Sequence, residues 1–240
     1  MTALVIVTGG SAGIGRALLE RAPDGAVRVD VSRSGCDLAG VEHVPADLAD
    51  PSAWEPVGAM LRDRISAHEG ARVTVVLNAG VIEPIGPAGR VDAAAYQRSV
   101  LLNGAAPQVL GHHVLAALHD HPGDRRELVL ISSGAARTAY PGWSAYGAAK
   151  AATDQWVRTV DAEQALTERP VRVLAVAPGV VATDMQVAIR GAEPGDFPPV
   201  ERFRDLHRSG QLADPLDVAT RLWARLDDAP ADPVTDLRGA

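Results

Sequence analysis

Short, largely apolar runs recur along the chain, separated by longer stretches in which the apolar residues have helical spacing. Runs of this kind lie at 3–7, 73–77, 127–131 and 171–177. Short runs rich in Val, Ile and Leu are typical of parallel strands that are covered on both faces. Weaker patterns predict further strands at 25–31, 44–48 and 234–237.

Helical spacing fills most of the stretches between these strands. It predicts helices over 16–21, 51–68, 93–118, 146–166 and 215–226. Strands and helices alternate without a repeat, a linker or a change of composition, so we expect one α/β domain over 1–240. The expected fold is a Rossmann-type, doubly wound parallel sheet flanked by helices, in strand order 3-2-1-4-5-6. The cofactor-binding half is predicted at about 1–130 and a substrate loop at about 184–210, with a mobile lid at 191–199.

A glycine-rich turn follows the first strand and precedes the first helix. Its glycines are Gly9, Gly13 and Gly15, in the spacing Gly-x-x-x-Gly-x-Gly. Strand, glycine-rich turn and helix in this order are typical of dinucleotide-binding sites, where the helix N-terminus binds the pyrophosphate. The spacing differs from the Gly-x-Gly-x-x-Gly of ordinary dehydrogenases.

The end of the second strand bears on the choice between NAD and NADP. Asp30 lies 21 residues after Gly9, which suits an acid that binds the ribose 2′-hydroxyl of NAD. Asp30 lies before the end of the strand, and side chains alternate between the two faces of a strand. We therefore expect Asp30 to point away from the ribose. Ser32 then stands in the acid's usual position, and Arg33 follows as a phosphate ligand. The pattern favours NADP(H), with NAD(H) as the alternative.

Three further polar positions are candidates for the cofactor side. Asp47 would bind the adenine amino group or, alternatively, cap a turn before Pro51. Asn78 ends a buried strand and would tie neighbouring strands together, while Gly80 would permit close approach of the cofactor. Asn103 is followed by glycine inside an otherwise apolar helix, and both residues disfavour helix interiors. We interpret that pair as a kink that aims Asn103 at the site.

Ser133, Tyr146 and Lys150 are the candidate catalytic residues. Tyr146 and Lys150 are four residues apart on a predicted helix and therefore share one face. Ser133 stands at the end of a buried strand, where ligands bind in parallel sheets. Lys150 is the only lysine among the 23 Lys and Arg residues, which indicates a position that arginine does not serve. An ammonium beside a phenol lowers the phenol pKa, and a shift from about 10 to about 7 takes on the order of 4 kcal/mol.

Composition excludes several classes of function. The net charge is −7, which argues against binding to nucleic acid or to an anionic membrane surface. Cys36 is the single cysteine, so no internal disulfide forms and a reducing compartment is expected. No signal-like segment and no long apolar run is present, so we expect a cytoplasmic protein. The histidine positions predict no metal site.

The motifs together resemble the short-chain dehydrogenase/reductase family. They are Thr8-Gly-x-x-x-Gly-x-Gly15, Asn78-Ala-Gly80, Asn103, Ser133, Tyr146-x-x-x-Lys150 and Pro178-Gly179. The resemblance covers essentially the whole chain. Within that family, segments 133–136, 140–146, 178–190 and 201–206 are similar to sepiapterin reductases and bacterial benzil reductases, which are NADPH-dependent carbonyl reductases.

The resemblance implies a role for each residue that matches a motif. Tyr146 would donate the proton, Lys150 would lower the Tyr146 pKa and hold the nicotinamide ribose, and Ser133 would orient the carbonyl. Asn103 would hold a relay water. The implied cofactor ligands are Gly9, Ser11, Gly13, Ile14, Gly15, Asp47, Asn78, Ala79, Gly80, Pro178, Gly179, Val181 and Thr183. Asp236 stands where sepiapterin reductases keep an acid that anchors the pterin.

Three residues in neighbouring segments have two interpretations. Trp143, Met185 and Gln186 would flank the carbonyl, so they either line the substrate pocket or pack within loops. Ala12 stands where many NADP-preferring relatives have a basic residue, which makes use of both cofactors plausible and leaves the 2′-phosphate to Arg33.

The leading hypothesis is an NADPH-dependent reductase of an aromatic ketone, an α-diketone or a pterin side-chain carbonyl. An NAD-dependent alcohol dehydrogenase is the second, and a redox-sensing regulator that binds the cofactor without turnover is the third. The resemblance also implies a homodimer or homotetramer formed through helices 93–118 and 146–166.

Overall fold

One parallel sheet forms the centre of the chain. The computed structural model describes residues 2–228 and 232–239. Within them the sheet has seven strands, β1 Ala3–Thr8, β2 Val27–Ser32, β3 Val41–Pro45, β4 Arg72–Leu77, β5 Arg125–Ile131, β6 Arg172–Ala177 and β7 Val234–Asp236. Their order is β3-β2-β1-β4-β5-β6-β7, which confirms the predicted doubly wound order. The direction of winding reverses between β1 and β4, and such a reversal opens a crevice at the carboxyl ends of the strands.

Helices cover both faces of this sheet. In the described residues they are α1 Gly13–Glu20, α2 Trp54–Ser66, α3 Ala93–Val100, α4 Ala106–Asp120, α5 Ser144–Gln164, α6 Asp184–Gly191, α7 Val200–Arg208 and α8 Pro215–Asp227. A 3₁₀ turn at Pro51–Ala53 precedes α2. No helix in the described ranges has the length and apolar character needed to cross a membrane.

Side chains alternate across β1 and bury two separate cores. Leu4 and Ile6 pack in a cluster with α2, α4 and α5. Val5 and Val7 point to the opposite face and pack with α1 and α8. Because both faces of the strand are covered, its sequence is a continuous apolar run, as the pattern predicts.

The predicted edge strand begins three residues earlier than expected. The sequence predicts 44–48, whereas β3 spans Val41–Pro45 and pairs with residues 28–32 of β2. Its residues are half-buried or exposed, since it lies at the sheet edge without full cover. An edge strand of this kind lacks the apolar run by which the central strands are recognised.

The predicted helix over 93–118 is interrupted at the expected place. A π-helical turn at Leu101–Ala105 separates α3 from α4, and it contains Asn103. In this turn the Ala106 N–H bonds the Leu101 carbonyl oxygen. Pro107 has no N–H, so the main-chain oxygen of Asn103 lacks the usual donor four residues on.

The segment predicted as a substrate loop over 184–210 is largely helical. It contains α6 and α7, joined by a connection that includes Phe197. Phe197 is fully buried against Trp143, so an aromatic anchor holds the connection to the body of the fold. The prediction of a loop was wrong here because proline, glycine and acidic residues in the connection obscured two short helices. The mobility of 191–199 stays a prediction.

Candidate active site

A single cleft follows the carboxyl ends of β1, β2, β4, β5 and β6. Most of the predicted site residues line it. They are Gly9, Ser11, Gly13, Ile14, Ser32, Arg33, Asp47, Asn78, Ala79, Gly80, Ser133, Trp143, Tyr146, Lys150, Pro178, Gly179, Val181, Thr183, Met185 and Gln186. The cleft lining does not include Gly15, Asn103 or Asp236.

The glycine-rich turn and the start of α1 form one end of the cleft. Gly9 and Gly13 have φ angles of 70° and 54°, which L side chains rarely adopt. Ala12 stands at the N-cap of α1 and forms no side-chain cap hydrogen bond. The N–H groups of the first turn therefore lack a side-chain acceptor, and such a terminus favours an anion. These features fit the pyrophosphate of a dinucleotide.

Gly15 has a packing role rather than a place in the cleft. A Cβ on Gly15 would lie 2.1 Å from the Gly9 carbonyl oxygen and 2.5 Å from Nδ2 of Asn78. Only glycine lets α1 approach the turn this closely. Gly15 therefore supports the glycine-rich turn by close packing, and its contact with a pyrophosphate stays a prediction.

Asp30 is turned into the protein at the end of β2. Its carboxylate accepts hydrogen bonds from the Gly10 N–H and the Ser32 hydroxyl, both at 2.7 Å. The Ser32 hydroxyl also accepts from the Gly35 N–H at 3.1 Å. Both side chains are thus engaged within the protein, whereas Arg33 lines the cleft and is exposed.

Asp47 and Asn78 hold two of the loops that line the cleft. Asp47 accepts from the Ala49 N–H at 3.1 Å and from Arg98 at 3.0 Å, so its turn role is observed. The Arg98 guanidinium contributes to a lowered Asp47 pKa, which burial opposes. Nδ2 of Asn78 donates to the carbonyl oxygens of Thr8 and Gly9 at 3.1 Å each and ties β4 to β1. An adenine contact by Asp47 stays a prediction.

Ser133, Tyr146 and Lys150 meet at the centre of the cleft. Helix α5 places Tyr146 and Lys150 on one face, with exposed fractions of 7% and 5%. The Lys150 Nζ donates to the Ile131 carbonyl oxygen at 2.6 Å and lies 5.7 Å from the centre of the Tyr146 ring. Ser133 ends the extended segment after β5, and its Oγ accepts from the Ala135 N–H at 3.2 Å.

Burial sets the protonation of this group. It raises the pKa of Tyr146, and a hydrogen bond with the Ser133 hydroxyl opposes part of that shift. Burial also lowers the pKa of Lys150 to about 8, against the attraction of Asp154. The expected lowering of the Tyr146 pKa by Lys150 is not found in the protein alone. Desolvation disfavours the phenolate, so Tyr146 is a protonated phenol at neutral pH.

Asn103 uses its side chain to hold the backbone. Its Nδ2 donates to the Val81 carbonyl oxygen at 2.8 Å and to the Ser99 hydroxyl at 3.1 Å, and its Oδ1 accepts from the Val81 N–H at 3.0 Å. The amide is fully buried and occupied by these contacts. The π turn and Pro107 leave the main-chain oxygen of Asn103 without its usual donor, and a relay-water role for Asn103 stays a prediction.

Aromatic side chains line the half of the cleft beyond Tyr146. Trp143 stacks on Phe197 with ring centres 4.5 Å apart and meets the edge of Tyr146 at 5.9 Å. Tyr140 and Phe203 lie next to Trp143, at 4.9 and 5.4 Å. The chain has only four Trp, three Tyr and two Phe, and five of these residues meet here. Their concentration between residues 140 and 203 was a signal that sequence reasoning missed.

Asp236 is engaged in ion pairs instead of facing the cleft. Arg238 contacts its carboxylate at 2.6 Å and Arg137 at 3.3 Å, and the hydrogen bond from Arg238 lowers the Asp236 pKa. Arg238 lines the cleft in its place, as does Arg202, which donates to the Tyr140 hydroxyl at 3.1 Å. A substrate contact by Asp236 stays a prediction.

Comparison with known proteins agrees with this geometry. The short-chain dehydrogenase family matches residues 3–194 of the sequence. The chain belongs to the short-chain dehydrogenase family. It is accordingly an oxidoreductase, and the family uses nicotinamide cofactors.

Characterised members of the short-chain dehydrogenase family are similar over almost their whole length. Benzil reductase ((S)-benzoin forming) of Bacillus subtilis is 34% identical over 228 residues, which cover 93% of each chain. Sepiapterin reductase of Bos taurus is 29% identical over 245 residues, covering 94% of this chain and 90% of the bovine protein. A crystal structure of a short-chain dehydrogenase/reductase from Saccharomyces cerevisiae superposes with a TM-score of 0.82 at 29% identity, covering 98% of this chain and 96% of the yeast chain.

Proposed function

We propose that the protein is an NADPH-dependent carbonyl reductase of aromatic ketones or α-diketones. The observation that carries the proposal is the placement of Tyr146 beside Ser133 and Lys150, facing a wall of aromatic side chains. An aromatic wall favours a flat, apolar substrate through stacking and burial. The similarity to a benzil reductase, at 34% identity, supports this substrate class.

In the proposed reaction the protein's residues bind and protonate the substrate carbonyl. Ser133 donates a hydrogen bond to the carbonyl oxygen and orients it. The bound nicotinamide supplies a hydride to the carbonyl carbon. Tyr146 transfers its phenolic proton to the same oxygen, and Lys150 on the next helical turn stabilises the phenolate that remains.

Arg33 and the aromatic wall favour an NADPH-dependent reductase over an NAD-dependent alcohol dehydrogenase. Burial raises the Tyr146 pKa, so the phenol is protonated at neutral pH and holds the proton that reduction of a carbonyl needs. The complete Ser133, Tyr146 and Lys150 set likewise supports turnover rather than cofactor sensing.

Arg33 supports NADP(H) as the cofactor. It lines the cleft at the end of β2, where a 2′-phosphate would lie. The acid that would bind a 2′-hydroxyl, Asp30, has its carboxylate on Gly10 and Ser32. With Ala12 in the glycine-rich turn, one guanidinium provides the selectivity, so weaker use of NAD(H) is expected.

The ion-paired Asp236 makes a pterin the weaker substrate. A carboxylate that anchors a pterin has to face the substrate, whereas that of Asp236 is held by Arg238 and Arg137. We therefore propose aromatic ketones and diketones as better substrates than a pterin side-chain carbonyl.

Oxidation of NADPH with benzil and with sepiapterin in parallel tests the proposal, with NADH as the cofactor control. Turnover of benzil with NADPH and much slower turnover with NADH is the expected result. Faster turnover of sepiapterin than of benzil would overturn the substrate assignment. Equal rates with NADH would overturn the role of Arg33.

We also propose a small-molecule substrate as the partner and a homodimer or homotetramer as the assembly. The net charge of −7 supports the first proposal over nucleic acid or an anionic membrane. Light scattering on the purified protein tests the second. A cytoplasmic location stays a prediction.

A further inference from the structure

Helix α5 contacts the end of β5 with three residues spaced four apart. Tyr146 and Ser133 line the same cleft, and the Lys150 Nζ donates to the Ile131 carbonyl oxygen at 2.6 Å. One turn further along, the Ser132 hydroxyl donates to the carboxylate of Asp154. One helix face thus lies against three consecutive residues at the end of the strand. The catalytic set does not include the third of these contacts.

Asp154 is a buried carboxylate with no place in the proposed reaction so far. Only 4% of it is exposed. Burying a charge is costly unless the charge is paired and hydrogen-bonded. A carboxylate at this position therefore needs a reason that an acid on the surface does not. Its hydrogen-bond partner is the Ser132 hydroxyl, and the Lys150 ammonium, one helical turn away, attracts it at longer range.

We propose that Asp154 is a positioning residue of the active site, which clamps Ser132 at the end of β5 and places a negative charge behind Lys150. Ser132 immediately precedes Ser133, so fixing one side chain restricts the direction of the next. The charge favours the ammonium form of Lys150. This inference rests on the proposed reductase function, because both effects act through residues that hold or protonate the carbonyl.

Three cationic side chains influence the charge of Asp154. Burial raises the pKa of Asp154; the Ser132 hydrogen bond opposes part of that shift, as do the charges of Arg137, which follows β5, of Arg158 on α5, and of Lys150. Tyr146 is the remaining titratable group beside Lys150, and burial keeps it protonated at neutral pH. Loss of the Asp154 charge therefore removes the carboxylate that attracts Lys150 and leaves the nearby cations.

The single lysine permits a direct test. Protein produced with [ε-¹³C]lysine gives one lysine resonance, and its shift against pH reports the protonation of Lys150. The midpoint expected for the unchanged protein is about 8. Asp154→Asn, which keeps an acceptor for Ser132 but removes the charge, should lower that midpoint by about one pH unit. Asp154→Glu should keep it near the original value.

Glu163→Gln is the matched control, because Glu163 is an exposed acid on the same helix. Its midpoint should equal that of the unchanged protein. An equal midpoint for Asp154→Asn as well would overturn the proposal. If Asp154→Asn does not fold, Asp154→Ser removes the same charge while keeping a hydrogen-bonding group, and it is judged by the same shift.

Turnover provides the second readout. The fall of kcat with benzil at alkaline pH should move to lower pH in Asp154→Asn, and kcat should fall at least about tenfold more than the NADPH affinity does. A uniform loss of kcat without a shift would show a structural role alone and overturn the positioning role. The lysine resonance is measured without substrate, so the two proposals can fail separately. If the protein without substitutions reduces no carbonyl, the proposed function is refuted, and the titration of Lys150 still decides whether Asp154 acts on it.

Discussion

Lys150 makes the stability of the protein depend on pH in a definite direction. Burial lowers its pKa from the ordinary 10.5 to about 8. Between these values the unfolded chain holds the proton and the folded chain does not, so the free energy of unfolding rises with pH across the window. Below about 8 both states hold the proton, and the folded state bears the full cost of the buried ammonium.

The perturbation that isolates this effect is Lys150→Met, which keeps the length of the side chain and removes its titration. A difference of 2.5 pKa units corresponds to about 3 kcal/mol at 1.36 kcal/mol per unit. The stability of the unchanged protein relative to Lys150→Met should therefore rise by about 3 kcal/mol between pH 7 and pH 11. Lys150→Met also loses the hydrogen bond to the Ile131 carbonyl oxygen, which changes the free energy of unfolding by an amount that does not depend on this titration.

Urea unfolding of both proteins at several pH values measures the difference, provided that unfolding is reversible and two-state. Arg158→Met is the control, because Arg158 is an exposed cation on the same helix and does not titrate in this range. A flat difference between the unchanged protein and Lys150→Met from pH 7 to pH 11 would show that Lys150 is not desolvated in the folded protein.

Three further substitutions test the site and the turn. Tyr146→Phe should lower kcat by about 10² to 10⁴ and leave NADPH affinity nearly intact, measured by turnover and by cofactor fluorescence; unchanged turnover contradicts the proton-donor role. Arg33→Ala should weaken NADPH binding by about tenfold or more without affecting NADH, since a charge-assisted contact is lost; a parallel loss of both affinities argues against a 2′-phosphate contact. Gly15→Ala should lower the thermal midpoint strongly because its Cβ would meet the Gly9 carbonyl oxygen at 2.1 Å, whereas Gly195→Ala, with open space around it, should not; equal midpoints would refute the packing role.

The central strands and the order of the sheet were predictable because burial on both faces leaves a continuous apolar pattern. Val5 and Val7 face one core and Leu4 and Ile6 the other, so every position of β1 is selected for the same property. The edge strand β3 lacks this double constraint, and its start was misplaced for that reason.

Site residues at strand ends were predictable by position, but their hydrogen bonds were not. Ser133, Tyr146 and Lys150 converge in the cleft as their spacing implied. Asp236 also stands at a strand end, yet Arg238, two residues later, holds its carboxylate. The conformation of the neighbouring loop decides which side chains form hydrogen bonds or ion pairs within the protein. That conformation cannot be predicted from the spacing of the residues.

The stack of Trp143 on Phe197 has a consequence for how this protein could acquire new substrates. Trp143 also meets the edge of Tyr146, so the segment between α6 and α7 and the proton donor share one rigid contact. A mutation of Phe197, which packs behind the cleft, would therefore displace the proposed proton donor. Natural variation in specificity should begin at positions outside this stack, such as Met185, where the pocket can change without that penalty.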